Sequence, residues 1–474
     1  MKDLKEVFGV TGPQLQTLVA EGLRGGGDWC DLYFEDTIYS DLLLRDGEVN
    51  SGGCYIDYGC GIRVLCGERT GYAYSESTDF PSLLKAARAA GSIAVSCKTA
   101  RVAQAPECIS KVEPAACFYP AADEWREAEL TRYVPFLTRL ESEIRRRDSR
   151  VLKVMARITS SASDVMMFNS LGELTCDSRP LCSVVASVVF KQGDIVENQT
   201  ASRSFRKGCG MVDEALLQEL ADSAVAGIDA RFEAKRPKGG RMPVVMGAGA
   251  SGILLHEAMG HAFEADFNRK GQSIFSDKMG RRICGRGISI IDDGTVADNR
   301  GACTFDDEGV PGQKTYMVTD GVLTSYLHDR ISAGFYGVAP TGNGRRESFR
   351  YNPIPRMRAT YMESGSDGSV EDLIASVKHC IFVDPFSNGQ VKIGEGDFTF
   401  FVKSGFLIEN GRLTMPVKDI NIIGNGPQAL ADIKAVAGDL KIDNGTWTCG
   451  KEQSVAVSCG IPSVLVSKLT VGGE

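Results

Sequence analysis

Leu254-Leu255-His256-Glu257-Ala258-Met259-Gly260-His261 gathers two of the four histidines of a 474-residue chain into one short segment. A glutamate directly follows the first. Two imidazoles on one helix with an adjacent carboxylate are the groups that hold a zinc ion and a general base for attack by water. The spacing departs from the common one. Histidines at i and i+4 lie about 40° apart around a helix, whereas i and i+5 lie about 140° apart. A straight α-helix therefore does not aim both rings at one ion. A single π-helical turn or a bend absorbs the extra residue, and such bulges cluster at functional sites. Gly260, immediately before the second histidine, is where irregular backbone costs least in side-chain crowding. Ile253, Leu254, Leu255, Met259 and Phe263 predict a buried segment, which leaves open a core helix with two satisfied histidines.

A third ligand has to come from elsewhere. Glu264 and Asp266 follow closely, while His328 and His379 are distant in the chain. Near the C-terminus stands Trp447-Thr448-Cys449-Gly450-Lys451-Glu452-Gln453, a cysteine in a polar, Gly-flanked setting. A thiolate is a strong zinc ligand, and a neighbouring cation such as Lys451 favours its ionisation. By spacing alone, one cysteine among fifteen reads equally as a small buried hydrophobe.

The segment His256-Glu257-Ala258-Met259-Gly260-His261, followed by Glu264-Ala265-Asp266, resembles the metalloprotease motif of the TldD/PmbA family. Similar to blocks of that family are also Asp306-Asp307-Glu308-Gly309-Val310-Pro311-Gly312, Gly342-Asn343-Gly344-Arg345-Arg346-Glu347-Ser348, Pro355-Arg356-Met357, Cys449-Gly450-Lys451 through Gln453, and Leu469-Thr470-Val471-Gly472-Gly473. A weaker likeness runs from Tyr33 to Tyr74. The resemblance implies zinc on His256, His261 and Cys449, with Glu257 as catalytic base. Because the metal motif is intact, it implies a TldD-type protomer, acting on unfolded or flexible peptides as a homodimer or as a heterodimer with a metal-free PmbA-type protein.

Composition favours a soluble intracellular enzyme. The chain is 43% hydrophobic and 24% charged, enough for large cores, and its length predicts two or more domains. A net charge of -8 argues against a nucleic-acid surface. No apolar run approaches the roughly 18 residues of a membrane span, and the opening residues do not read as a signal peptide. Fifteen cysteines without a Cys-x-x-Cys pair, with Cys54, Cys60 and Cys66 evenly spaced on one strand face, point to a reducing cytoplasm.

The expected fold is α+β: an N-terminal α/β domain of mixed strands and helices over 1–234, a basic linker at 235–241, and a mainly antiparallel β domain over 242–474 carrying the zinc helix. In the first part, a helix is expected from Thr11 to Leu23 and a strand from Asp31 to Tyr39. A hairpin turn at Asp46-Gly47 follows, with further strands to Tyr74 and a helix starting near Asp79. Lys98 to Ala122 reads as a connecting loop. A long helix over Asp123–Arg147 carries a break or second start at Pro135. Strands follow from Val151 to Ser204, punctuated by Leu171-Gly172, and then a helix over Val212–Phe232. In the second part, Pro243–Met246 reads as a buried strand. The glycine-rich entry Gly247–Gly252 lacks a phosphate-loop ending and serves close packing. Asp320-Gly321 and Asn410-Gly411 are turns, and Glu371–Cys380 is a helix.

Two neutral histidines and one thiolate leave Zn²⁺ with a net charge of about +1 and a fourth position for water, whose pKa zinc lowers from 15.7 to about 7. Glu257 then takes the proton as water attacks a peptide carbonyl. Arg356 and His328 are polar candidates for stabilising the oxyanion, and a strand-rich cleft suits peptide binding by β-addition. Other readings are a peptidase of another lineage with a His-Glu-x-x-Gly-His motif, a non-catalytic peptide-binding scaffold, and a cysteine protease built on Cys449.

Overall fold

Asp46 and Gly47 turn the chain with φ of 49° and 85° in a computed structural model that describes residues 3–92, 103–383 and 386–472. This turn joins β1 (Trp29–Arg45) to β2 (Glu48–Cys66), strands far longer than the alternation of Asp31–Tyr39 alone suggests. Gly172, with φ of 80°, likewise turns β4 (Val151–Asn169) into β5 (Glu173–Gln192). With β3 (Arg69–Ser75) and β6 (Ile195–Phe205) these form one sheet in the order β3-β2-β1-β4-β5-β6, all antiparallel along that path.

Side chains alternate across a strand, so the two faces of this sheet take different partners. Leu32, Phe34, Ile62 and Val64 bury against α1 (Gly12–Leu23) and α2 (Phe80–Ser92). Further along the same face, Leu42, Leu44, Ile158 and Val184 bury against α3 (Val134–Arg147) and α4 (Glu214–Val225). The opposite face carries Tyr33, Val165 and Met167, which pack on Phe305 and Phe349 from the second half of the chain.

The second half is built around β7 (Gly240–Met246), β8 (Ile290–Asp293), β9 (Ala359–Met362), β10 (His379–Val383), β11 (Asp397–Glu409), β12 (Arg412–Asn425), β13 (Thr448–Lys451), β14 (Gln453–Ala456), β15 (Ser458–Ile461) and β16 (Val464–Gly472). The order β10-β7-β16-β12-β11 closes on itself, because β10 also pairs with β11. Two pairings are parallel, β10 with β7 and β9 with β15, in an otherwise antiparallel arrangement. The whole is a mixed α+β fold. No helix among the described residues is long and apolar enough to cross a membrane.

Several elements differ from their sequence-based expectation. The helix expected over Asp123–Arg147 is split into Asp123–Glu127, a 3₁₀ turn at Leu130–Tyr133 and α3, with Pro135 in the first turn of α3 where its missing N–H costs nothing. The helix expected over Val212–Phe232 breaks at Gly227, whose φ is 72°, into α4 and Ile228–Glu233. The helix expected over Glu371–Cys380 runs instead from Val370 to Ala375. His379 onward forms β10, because Cys380-Ile381-Phe382-Val383 fills the gap between β7 and β11 and tertiary pairing overrides local preference. The 235–241 segment is pinned rather than free: the Lys235 amide donates to the Pro416 carbonyl at 3.1 Å. Of the loop expected at 98–122, residues 98–102 lie outside those described, and Ser110–Lys111 pairs with β5.

Buried ion pairs lock the sheet face to the second half. Arg63, with no exposed surface, reaches Asp31 at 2.6 Å and Glu308 at 2.7 Å. Arg179 reaches Asp177 at 2.7 Å and Asp307 at 2.6 Å. Removing one partner from such a pair leaves an uncompensated buried charge, a cost of about 3–5 kcal/mol. These contacts fix how the two halves meet.

Candidate metal centre

The extra residue between His256 and His261 is absorbed as the spacing predicts. Ile253–Leu255 is α-helical, His256–Gly260 is a π turn, and His261–Phe263 is 3₁₀. Widening the turn brings the two imidazoles to one side, with ring centroids 5.2 Å apart. Gly252 lets the segment start against β15, where a Cβ would stand 2.5 Å from the Gly460 nitrogen. At Gly260 a Cβ would lie 2.0 Å from the Met357 sulfur, inside a fully buried contact. Gly260→Ala is therefore expected to cost about 1–3 kcal/mol through overpacking. Urea unfolding of the parent and variant measures it, and an unchanged midpoint would contradict this packing account.

Cys449 arrives on β13, 193 residues beyond His256. Its Sγ stands 3.1 Å from His256 Nε2 and 3.2 Å from His261 Nε2. All three donor atoms lie within 4.8 Å of one another, and all three residues are buried. Burial of Cys449 disfavours its thiolate, yet the charge of His256 and the hydrogen bonds from both histidines outweigh it and hold the thiol at about 4. Ligand bonds of 2.0–2.3 Å set tetrahedral donor–donor edges of roughly 3.3–3.6 Å, close to the spacings found here. Two imidazole nitrogens and a thiolate form a donor set suited to a borderline-soft divalent metal, so the residues fit zinc.

Glu264 and Asp266, which the sequence left open as third ligands, stand outside the donor group. The Glu264 Oε2 accepts from the far side of His261, at 2.9 Å from Nδ1. Lys451 approaches Glu264 at 3.0 Å and Asp266 at 2.8 Å. Burial would raise the Glu264 carboxyl, but Lys451 first, then His261 and Arg356, hold it at about 2. Burial opposes a charge on His261 in turn, and Glu264 and Cys449 overcome it, raising that imidazole to about 10. Lys451 is thus engaged by the two carboxylates; the histidines are what favour the Cys449 thiolate.

Glu257 lies beside the group with its Oε2 4.0 Å from His261 Nε2 and 22% of its side chain exposed. The two oxyanion candidates are placed otherwise. Arg356 is fully buried and donates to the carbonyls of Cys449 at 2.6 Å, Gln453 at 2.7 Å and Lys451 at 3.3 Å, bracing the β13–β14 hairpin. Its Nε makes no hydrogen bond and lies 3.8 Å from Glu264 Oε1, so the guanidinium is held between the hairpin carbonyls and that carboxylate. His328 is buried between Tyr326 and Tyr336, where desolvation pushes its imidazole down to about 4 and keeps it neutral. His379 is exposed at the start of β10.

Several of the other quoted blocks are joined to one another by hydrogen bonds. Asp306 accepts from the amides of Glu308, Val310 and Gly344, each at 2.9 Å, and so joins two of them. The Gln453 side chain accepts from the Glu347 amide and donates to the Asn352 carbonyl, both at 2.7 Å. Met357 fills the space that Gly260 leaves.

Comparison with known proteins bears on this architecture. Three profiles match the chain: PmbA/TldA metallopeptidase domain 1 over residues 30–94, the central domain over 123–230 and the C-terminal domain over 239–473. A protein named metalloprotease TldD homolog from Haemophilus influenzae is 38% identical over 456 residues, covering 94% of this chain and 93% of its own. Another of that name from Buchnera aphidicola subsp. Acyrthosiphon pisum is 35% identical over 462 residues, with 94% and 93% covered. The crystal structure of TldE from Thermococcus kodakarensis has the same fold, with a TM-score of 0.75 at 18% identity over 97% of this chain and 100% of that one. The chain belongs to the PmbA/TldD family of metalloproteases and is of the TldD type.

Proposed function

We propose that the protein is a zinc-dependent peptidase acting on unfolded or flexible peptides, with His256, His261 and Cys449 holding the metal and Glu257 as catalytic base. The single observation that carries this reading is the convergence of two imidazoles and a low-pKa thiol on one buried point. Zinc held there would supply Lewis acidity to the peptide carbonyl and to water. Glu257, half-buried at the edge of the group, takes a proton from the attacking water and returns it to the leaving amine. Glu264 keeps His261 oriented through Nδ1, leaving Nε2 for the metal. In this reading residues 1–234 form an N-terminal TldD/PmbA-type domain and 242–474 a C-terminal metalloprotease domain, joined at 235–241. The working unit is a homodimer or a heterodimer with a PmbA-type chain. Among the described residues thirteen cysteines are free and Cys66 is disulfide-bonded, and the predominance of free thiols supports a reducing, cytoplasmic setting.

Metal content tests the reading. Protein purified under reducing conditions is expected to carry about one zinc per chain, and Cys449→Ala much less. Elemental analysis of both, after zinc is supplied, decides it; a metal-free parent would favour the peptide-binding scaffold instead. The proximity of Cys449 to two imidazoles also suits a thiol nucleophile. Cleavage that resists chelators and is blocked by iodoacetamide would favour that second reading.

A further inference from the structure

Beyond the metal centre, the polar face of the N-terminal sheet lines an open cavity of about 510 Å³. Its floor follows from strand register. Tyr39 stands opposite Tyr55 and Ser161, and Asp41 stands opposite Gly53 and Thr159, so these residues share one face across β2, β1 and β4. Tyr39 and Tyr55 stack with centroids 4.6 Å apart. Asp41, the acidic group in the lining, is neutralised by Arg157, whose Nε donates to it at 2.6 Å.

The remaining charge in the lining is Arg300. It is only 8% exposed. Its guanidinium donates to neutral partners alone: the Trp447 carbonyl at 2.9 Å, Ser204 at 2.7 Å, Ser183 at 3.2 Å and Thr448 at 3.3 Å. Among the described residues no carboxylate pairs with it. Behind it stands a second arginine, Arg206, whose Nε donates to the Arg300 carbonyl at 3.3 Å. Burial, and then the charge of Arg206, lower the Arg300 pKa to about 10, so it remains cationic at neutral pH. A buried cation without a counter-ion is costly unless an anion arrives to pair with it. The cavity volume falls within the range of about 300–1,000 Å³ used for ligands, and its hydroxyls offer further hydrogen bonds.

Two features bear on what this cavity could receive. Thr448, which Arg300 holds, is the neighbour of Cys449 on β13. The β2 residues that border the cavity, Ser51 to Tyr55, also lie beyond the reach of β3, which pairs only from Cys60 onward. That open strand edge can accept an extended peptide by backbone hydrogen bonding.

We propose that this cavity is an anion subsite in which Arg300 binds a carboxylate of the substrate peptide, either its C-terminus or an acidic side chain. The choice of a peptide as the carrier of the carboxylate rests on the peptidase reading. The guanidinium provides charge-assisted hydrogen bonds that a neutral amide cannot match.

The test is fluorescence anisotropy on the full chain in a Glu257→Gln background, which keeps the peptide intact. The probes are a labelled flexible peptide ending in a free glutamate, its C-terminally amidated form, and its form with glutamine at that position. The charged peptide is expected to bind about 10-fold or more tightly than at least one neutralised form. Loss on amidation identifies the C-terminus, and loss with glutamine identifies the side chain. Adding Arg300→Gln, which keeps hydrogen-bond donors but not the charge, should erase the preference, while Arg300→Lys should retain most of it. Circular dichroism confirms that both variants fold. Equal affinities, no measurable binding, or a preference that survives Arg300→Gln would overturn the subsite. Charge-selective binding with no cleavage by the Glu257-intact chain would remove the peptidase reading alone. Cleavage without charge selectivity would remove the subsite alone.

Discussion

Glu257→Gln is expected to reduce peptide cleavage by about 10²–10⁴-fold, the range that a positioned general acid–base contributes, while zinc content stays at the parent level. Glutamine keeps the size and one carbonyl oxygen of the glutamate but cannot accept a proton from water at neutral pH. The side chain stands 4.0 Å from the His261 nitrogen and outside the group of three donors, so the metal ligands should be undisturbed. Single-turnover cleavage of a flexible peptide and elemental analysis on the same preparations test both halves. Lost activity with lost zinc would make Glu257 a structural residue, and undiminished activity would remove it from the chemistry.

Glu264→Gln is expected to weaken zinc binding by about 10–100-fold, the usual cost of losing a partner that orients a metal-binding histidine. The carboxylate is fully buried and joins the far nitrogen of His261 to Lys451. Glutamine preserves the volume and can still accept from His261, but it removes the charge that Lys451 faces. The ammonium keeps Asp266, at 2.8 Å, so folding should survive. Competition against a chromophoric chelator measures the affinity directly, and a value equal to the parent's would leave Glu264 without an orienting role. The measurement is independent of turnover.

Much of this was legible in the chain because it depends on short-range geometry. The Asx-Gly pairs at Asp46, Asp320 and Asn410 need positive φ, which these residue types tolerate, and all three first residues adopt it. The six-residue span from His256 to His261 carries its own arithmetic: one residue too many for an α-helix, and therefore a π turn. The α+β class follows from strand-like alternation punctuated by amphipathic helices. Where expectations slipped, either a neighbour distant in sequence or a left-handed glycine had intervened. Cys380 left the expected helix because β7 and β11 offered it a strand position, and the helix expected through Phe232 stopped at Gly227.

The sequence by itself therefore determined the paired histidines with their glutamate, the distortion their spacing requires, and the turns that set the strands. The polar, Gly-flanked setting made Cys449 a candidate, but only the family resemblance set it apart from the other cysteines among the fifteen. Tertiary structure alone decided its proximity to His261 across 188 residues. It also decided that Glu264 faces the outer nitrogen of His261, that Arg356 braces three carbonyls, and that Arg300 has no carboxylate partner among the described residues. The physical reason is common to all four. A side chain's charge and length are local properties, but its partners are whatever the packed strands bring within hydrogen-bonding distance.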